Sequence, residues 1–403
     1  MKARKYISFC IWISISLLFI FHSISFYGQT WECRILPSER QIVTDGGSGA
    51  RITFVTTHKS DDRNLYFHDR SWMLDTEVML FTSDRTGRYE VFGYIEETGE
   101  LIRFNRDEDL PASNPVASIK GNSFYILKGR SIYKWSLKLE LVPETRASIT
   151  ETKIADFPQE AEPFHSLNEN ADGTLISFGY SLDDKFHIAV AEAASGRTTP
   201  VASLDFPVQH IQFSWTRPDL LSFARSYGSD TAPLDPGEPP HARIWFVSVI
   251  TGTPVPAFYQ EPGELVTHES WWVNDQVLFI GGHRIEEAHV KVFDRETGNI
   301  RIIGAGAWME GMEARELSRV NWWHASGSRD GRWVAADNWH GVIAIFDAKT
   351  TRISILTTGH RTYGSGAHPH VGWDLYSKSV EFTSNKLGNP DVCIAELPLD
   401  WIK

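Results

Sequence analysis

From about Gln29 onward, apolar and polar residues alternate over short stretches broken by turn residues, and hardly any segment carries the 3.6-residue period of a helix. Such alternation predicts an all-β chain. One unit recurs within it: an alternating apolar strand, a turn ending in Thr-Gly or Ser-Gly, then a second short strand. It is found at Tyr89 to Phe104 around Gly99, Phe186 to Ala202 around Gly196, Ile244 to Phe258 around Gly252, Val290 to Ile303 around Gly298 and Val342 to Leu356 around Thr350. From Gly196 onward the turns are 56, 46 and 52 residues apart, and the 97 residues between Gly99 and Gly196 leave room for a weaker copy near Leu139 to Pro143. A period near 50 residues with four strands per unit predicts a β-propeller. His370 to Leu397 begins a further unit that lacks its last strand, and Arg51 to Thr56 supplies one from the other end of the chain. The count is seven blades, with six and eight as alternatives, in a ring closed by an N-terminal strand joining the last blade. Closure removes sheet edges that otherwise invite aggregation.

Composition alters this picture mainly at the N-terminus. With 42% hydrophobic and 22% charged residues and no low-complexity block, residues 29–403 read as a single β-propeller domain. Residues 1–28 differ: Lys2, Arg4 and Lys5 precede an apolar run from Ile7 to Phe26, which reads as a signal peptide cleaved after Gly28. The expected destination is the periplasm or the extracellular space. The run is also long enough to serve as an uncleaved membrane anchor. Outside that leader only Cys33 and Cys393 remain, either paired or as free thiols. The formal charge of −12, about −15 without the three leader cations, disfavours nucleic acid as a partner. An anionic substrate would need a local cationic site. No Walker loop, dinucleotide fingerprint, Gly-x-Ser-x-Gly elbow or Cys-x-x-Cys is found. Asp172-Gly173 and Asp330-Gly331 mark inner hairpin turns, and the long irregular stretch Gly228 to His241 suits a loop over one end of the ring. Gly304 to Leu317 suits a short helical turn.

Candidate chemistry gathers near the C-terminus, in Gly364-Ser365-Gly366-Ala367-His368-Pro369-His370. Histidines two apart on extended backbone share a side and can grip one metal ion, while Pro369 places them at a strand mouth. His324 can complete a three-imidazole site. Taken alone, such a pair is more often a hydrogen-bonded surface feature. In a propeller, however, blade-connecting loops converge on one end of the channel, so His210, Arg243 and His268, at equivalent blade positions, join the set. Singly, His268 reads as a core histidine, Arg243 as either a rim ion-pair residue or a functional one, and His210 as either structural or a sugar contact. Trp271, Trp272, Trp322 and Trp323 flank these candidates, either to stack on sugar rings or to fill the space between sheets.

The order of Ala242-Arg243-Ile244-Trp245, Thr267-His268-Glu269-Ser270-Trp271, a histidine ahead of Ser328-Arg329-Asp330-Gly331, and His368-Pro369-His370 followed by Phe382-Thr383-Ser384-Asn385 resembles the oligogalacturonate lyases. These are seven-bladed propeller enzymes with a manganese ion. Asn64-Leu65-Tyr66-Phe67 through Phe81-Thr82-Ser83-Asp84 is similar to the family's opening blade, and the likeness is strongest from His210 to Leu397. The resemblance implies that His324, His368 and His370 are metal ligands, that His268 is the general base and that Arg243 engages the substrate carboxylate. It also implies a sugar contact for His210. Ser365 stands where the family has a metal-binding glutamine; as a shorter candidate ligand, it leaves water to fill that position or shifts the ion. The chemistry is coherent with those roles. β-Elimination from a uronate removes the C5 proton, which becomes acidic when the neighbouring carboxylate is neutralised. A cation and a guanidinium do this, and an imidazole takes the proton. Imidazole ligands suit manganese, zinc or nickel alike. The expected partner is an acidic oligosaccharide such as an oligogalacturonide. The rival readings are a non-catalytic propeller that binds sugar or protein at the same face, and one that uses the three histidines as a structural clamp.

Overall fold

The computed structural model describes residues 28–402 apart from 227, 236, 284–286, 308 and 361–366, with the side chains of 165 and 166 left aside. The expected leader therefore lies outside the described residues except for Gly28, and so does Ser365. The strands form seven antiparallel sheets, which are the blades of a β-propeller. Blades 3 to 6 each use four consecutive strands. In blade 7, Gly372–Trp373, Ser379–Ser384 and Asp391–Glu396 are followed outward by Arg51–Phe54, in the register Ile394 opposite Thr53.

The recurring turns are the outer hairpins of the blades. Gly99, Gly196, Gly252 and Gly298 have φ of 79°, 72°, 64° and 73°, a left-handed conformation that costs glycine nothing. Each donates its N–H to the carbonyl four residues back. In blade 6 Thr351 takes that place at φ 61°, which is why glycine is missing from that copy. The weak copy is also an outer hairpin: Ser131–Glu140 and Arg146–Asp156 of blade 2 flank it.

Seven hydrophobic clusters of described residues fill the seven blade interfaces. Because blades pack on both sides, central strands such as Glu90–Ile95 are buried on both faces and lose the alternation of a half-exposed strand. Trp271, Trp272 and Trp322 belong to these clusters and act as filling between sheets. Cys33 packs beside the cluster of blades 1 and 2, Cys393 in that of blades 6 and 7, and both are free thiols.

The segment before Arg51 adds strands that the pattern did not predict. Gln29–Glu32, Arg34–Leu36 and Gln41–Thr44 lie as fifth, outermost strands on blades 2, 1 and 7. Each covers a row of backbone groups that a four-stranded blade leaves open. Their exposure, mostly on both faces, erases the apolar signal by which strands are read.

Candidate active site

The innermost strands carry the site, and they do so by breaking register. In blade 4, Gln209 pairs with Ala224 but Gln212 with Ser222; in blade 5, Thr267 pairs with Ile280 but Ser270 with Leu278. The extra residue bulges, and His210 and His268 both adopt φ 51°. His370, just ahead of the first strand of blade 7, adopts φ 48°. A bulge re-aims a side chain off the pleat, and left-handed backbone costs a β-carbon-bearing residue roughly 1–2 kcal/mol. Here it directs imidazoles of three blades toward one another.

His324, His368 and His370 offer one nitrogen each within 4.8 Å of the others. Three imidazole nitrogens about 2.1 Å from one ion lie roughly 3–3.6 Å apart, so side-chain adjustment of about an ångström closes the set. His324 supplies the sharper test of fit. Its Nδ1 faces Asp337 at 2.9 and 3.1 Å, while its Nε2 is buried without a hydrogen-bond partner among the described residues. A carboxylate holding one ring nitrogen while the other points at an empty coordination direction is the usual setting of a metal-bound imidazole. Asp337 also accepts from the Val371 amide at 3.4 Å, tying the His324 strand to the segment that carries His370. Asn64 of blade 1 donates to the His370 carbonyl at 2.7 Å. Burial and neighbouring imidazoles push His324 and His370 well below the ordinary histidine range, and burial lowers His368. Their lone pairs are free at neutral pH. Burial pushes the Asp337 carboxyl well above its ordinary range.

The His268 ring lies 4.5 Å from that of His324, and hydrogen bonds set its tautomer. Thr267 has one hydroxyl proton, donated to Asp230 at 2.8 Å, so toward His268 Nδ1, 3.1 Å away, Thr267 can only accept. Nδ1 therefore carries the proton and Nε2 the lone pair. Burial, then the His324 and His210 rings, push His268 well below the ordinary range, so it stays a neutral base.

Arg243 and His210 meet on Glu269. This fully buried carboxylate accepts from Arg243 Nε at 3.0 Å and from His210 Nδ1 at 2.5 Å. Burial alone would raise its pKa, but Arg243 and His210 outweigh that and hold it far below the usual range. Arg243 also pairs with Asp230, and at 2% exposure its guanidinium offers no open face to a sugar in this conformation. Asp230 comes from the irregular loop after blade 4's second strand, which is tied down by bridges Thr231 to Leu265 and His241 to Gln260. That loop thus supplies part of the site.

No family model and no curated protein matches the chain. Solved structures do. An oligogalacturonate lyase in complex with manganese aligns over 92% of this chain and 100% of its own, with a TM-score of 0.74 and 15% identity. The oligogalacturonate lyase of Vibrio parahaemolyticus aligns over 93% and 99%, with a TM-score of 0.70 and 15% identity. The chain has the oligogalacturonate lyase fold. At this identity the likeness is one of architecture, and the site has to be judged on its own residues.

On this fold His210, Arg243, His268, His324, His368 and His370 form one connected cluster beside the innermost strands. Sequence reasoning passed over several of their neighbours. Tyr66 and His68 of blade 1 enter between the histidines, with the Tyr66 ring 4.6 Å from His370 and 5.3 Å from His210, and the His68 ring 5.1 Å from His210. Trp339, also passed over, lies 5.0 Å from Trp323, one of the four tryptophans named from the sequence, and the two wall the site beside His268 and His368. Glu269 sat inside a quoted motif, and Asp337 lies directly across the strand pair from His324, in a register countable from the Asp330-Gly331 turn.

Proposed function

We propose that this protein is an exported, metal-dependent polysaccharide lyase that cuts oligogalacturonides, or a related uronic-acid oligosaccharide, by β-elimination. The observation that carries the reading is His268: a neutral imidazole with Nε2 left as base, its ring 4.5 Å from a ligand of the three-histidine set. His324, His368 and His370 would hold a divalent cation, manganese by analogy with the lyase of the same fold. A cation bound there supplies Lewis acidity at the uronate carboxylate.

The remaining steps belong to the protein's own groups. His268 Nε2 takes the C5 proton as the C4–O bond breaks and a C4=C5 double bond forms. Thr267, backed by Asp230, steadies the imidazolium, and the departing oxygen is protonated by that imidazolium or by solvent. His210, held by Glu269, orients the sugar. Trp323 and Trp339 offer apolar faces to pyranose rings. Arg243 keeps the Glu269 and Asp230 carboxylates in place, and it reaches a substrate carboxylate once one of them releases it. With its histidines neutral and Arg243 paired to Glu269 and Asp230, the cluster would owe the positive character that an acidic oligosaccharide requires, in a chain of net charge −12, to the bound cation.

Incubation with oligogalacturonides and manganese should produce the ultraviolet absorbance of the unsaturated product. Silence across several uronate oligomers removes the proposal. N-terminal sequencing of exported protein should begin at Gln29; a chain still starting at Met1 in the membrane fraction points to the anchor instead. The sealed Arg243 favours one rival, a non-catalytic propeller that binds sugar at the same face. Oligosaccharide binding that survives His268→Ala, with no turnover in the parent protein, would select it.

A further inference from the structure

Among the described residues, the left-handed bulge positions of the inner strands include four non-glycine residues: Asn114, His210 and His268 at φ 51° each, and His370 at φ 48°. They belong to blades 2, 4, 5 and 7. Asn114 shares the device in full, because blade 2 breaks register there as blades 4 and 5 do: Ser113 lies opposite Leu127 but Val116 opposite Tyr125. Three of these four positions aim imidazoles into the proposed site. The fourth carries a carboxamide with no assigned task.

Asn114 is half-buried and makes no side-chain hydrogen bond among the described residues. A bulge that needed only left-handed backbone would be served more cheaply by glycine. Its side chain lines a cleft of about 460 Å³ together with His370, His210, Tyr66, Asp69 and Arg63 of blade 1. Arg63 is the only guanidinium lining this cleft among the described residues, held by Asp61 at 2.6 and 2.5 Å. The cleft is thus continuous with the imidazole cluster and carries one guanidinium and one unengaged amide. That is the donor set a second acidic sugar would meet, with hydroxyls and a carboxylate to satisfy.

We propose that this cleft is a subsite for the uronate next to the one facing the imidazole cluster, with Asn114 hydrogen-bonding its hydroxyls and Arg63 facing its carboxylate. The inference rests on the lyase reading and gives the direction in which the oligosaccharide runs, from the metal histidines past Tyr66 toward Asn114 of blade 2. Asn114 is then a specificity residue, not a catalytic one.

The test is Asn114→Gly, which removes the carboxamide and keeps the backbone conformation. Steady-state kinetics on oligogalacturonides are paired with calorimetric binding of tetragalacturonate and of monomeric galacturonate. Loss of one neutral hydrogen bond should raise the oligomer KM and Kd about five- to tenfold, move kcat by less than about twofold and leave monomer affinity unchanged. Arg63→Gln should weaken the oligomer similarly and reduce the salt dependence of its binding. Unchanged oligomer binding in Asn114→Gly overturns the subsite. So does equal weakening of monomer and oligomer, which would place the effect in the imidazole cluster. A parent that binds the oligomer more tightly than the monomer, loses that advantage in Asn114→Gly and yet turns nothing over would count against the lyase reading alone. A parent that binds no uronate oligomer overturns both.

Discussion

Replacing Glu269 by glutamine isolates the charge at the centre of the site. The amide keeps the shape: its oxygen can accept from Arg243 Nε, and its nitrogen can donate to His210 Nδ1 once that ring changes tautomer. What is lost is one of the two anions facing a guanidinium that is 2% exposed. Leaving a buried cation wholly unpaired costs about 3–5 kcal/mol. Because Asp230 stays, we expect less than that, about 2–3 kcal/mol. Unfolding entropy of roughly 2 cal/mol/K per residue makes a chain of this size lose about 1 K in Tm for each 0.8 kcal/mol, so the shift is about 3–4 K. The same change made in an Arg243→Met background should cost less than about 1 kcal/mol, since no guanidinium is left to strand. Thermal unfolding of the four proteins of this cycle at one scan rate gives the coupling. Equal costs in both backgrounds, or a single-mutant cost below about 0.5 kcal/mol, would refute the picture of Arg243 as a cation bound to Glu269.

Asp337→Asn should leave the fold intact and weaken manganese binding about 10- to 100-fold, measured by calorimetric titration, because it loosens the orientation of His324; unchanged affinity would detach Asp337 from the metal histidines. Thr267→Val breaks the link between Asp230 and His268, and kcat should drop about tenfold or more while metal affinity holds. A kcat within twofold of the parent's would show that the tautomer is set in some other way. The pH dependence has a definite sign: His268, His324 and His370 have folded pKa values below the unfolded value of 6.5, so the unfolded chain takes up protons first and stability falls as pH drops below 6.5. Each costs about 1 kcal/mol over the first pH unit, so in chelator these three should lower Tm by about 4 K between pH 6.5 and 5.5, and by less with manganese bound. His241 and His360, lowered by burial to about 4 and about 3, add to the fall. A flat profile in chelator would mean that these rings are not neutral in the folded protein.

How much of this was legible beforehand differs from residue to residue. The outer hairpin turns were readable because a left-handed position favours glycine and leaves a mark in one letter. The blade 6 copy, with Thr351 at that position, was still recognisable from its flanking strands. Gln29–Glu32, Arg34–Leu36 and Gln41–Thr44 were not, since strands on the outside of a blade satisfy backbone groups without burying an apolar face. Asp337 lay within reach of counting, six places beyond Gly331 as His324 lies six before Asp330, yet nothing local separates it from a surface aspartate. Asp230 offered no such handle, and Tyr66, though inside the opening-blade motif, carried no mark of its place among the histidines; each enters the cluster from a loop whose course depends on blades distant in the chain.

Periodicity and the turn residues, which are properties of neighbours along the chain, were enough to specify strands, repeat and ring. The order of the histidine motifs was enough to nominate the imidazoles. Closure of the ring decided the rest: which of those imidazoles touch, that Arg243 lies sealed between two carboxylates, that three of the four tryptophans are packing, and that Asn114 shares the geometry of His210 and His268. These depend on distances between blades and on bulges in the inner strands, and neither is encoded by residues adjacent in sequence.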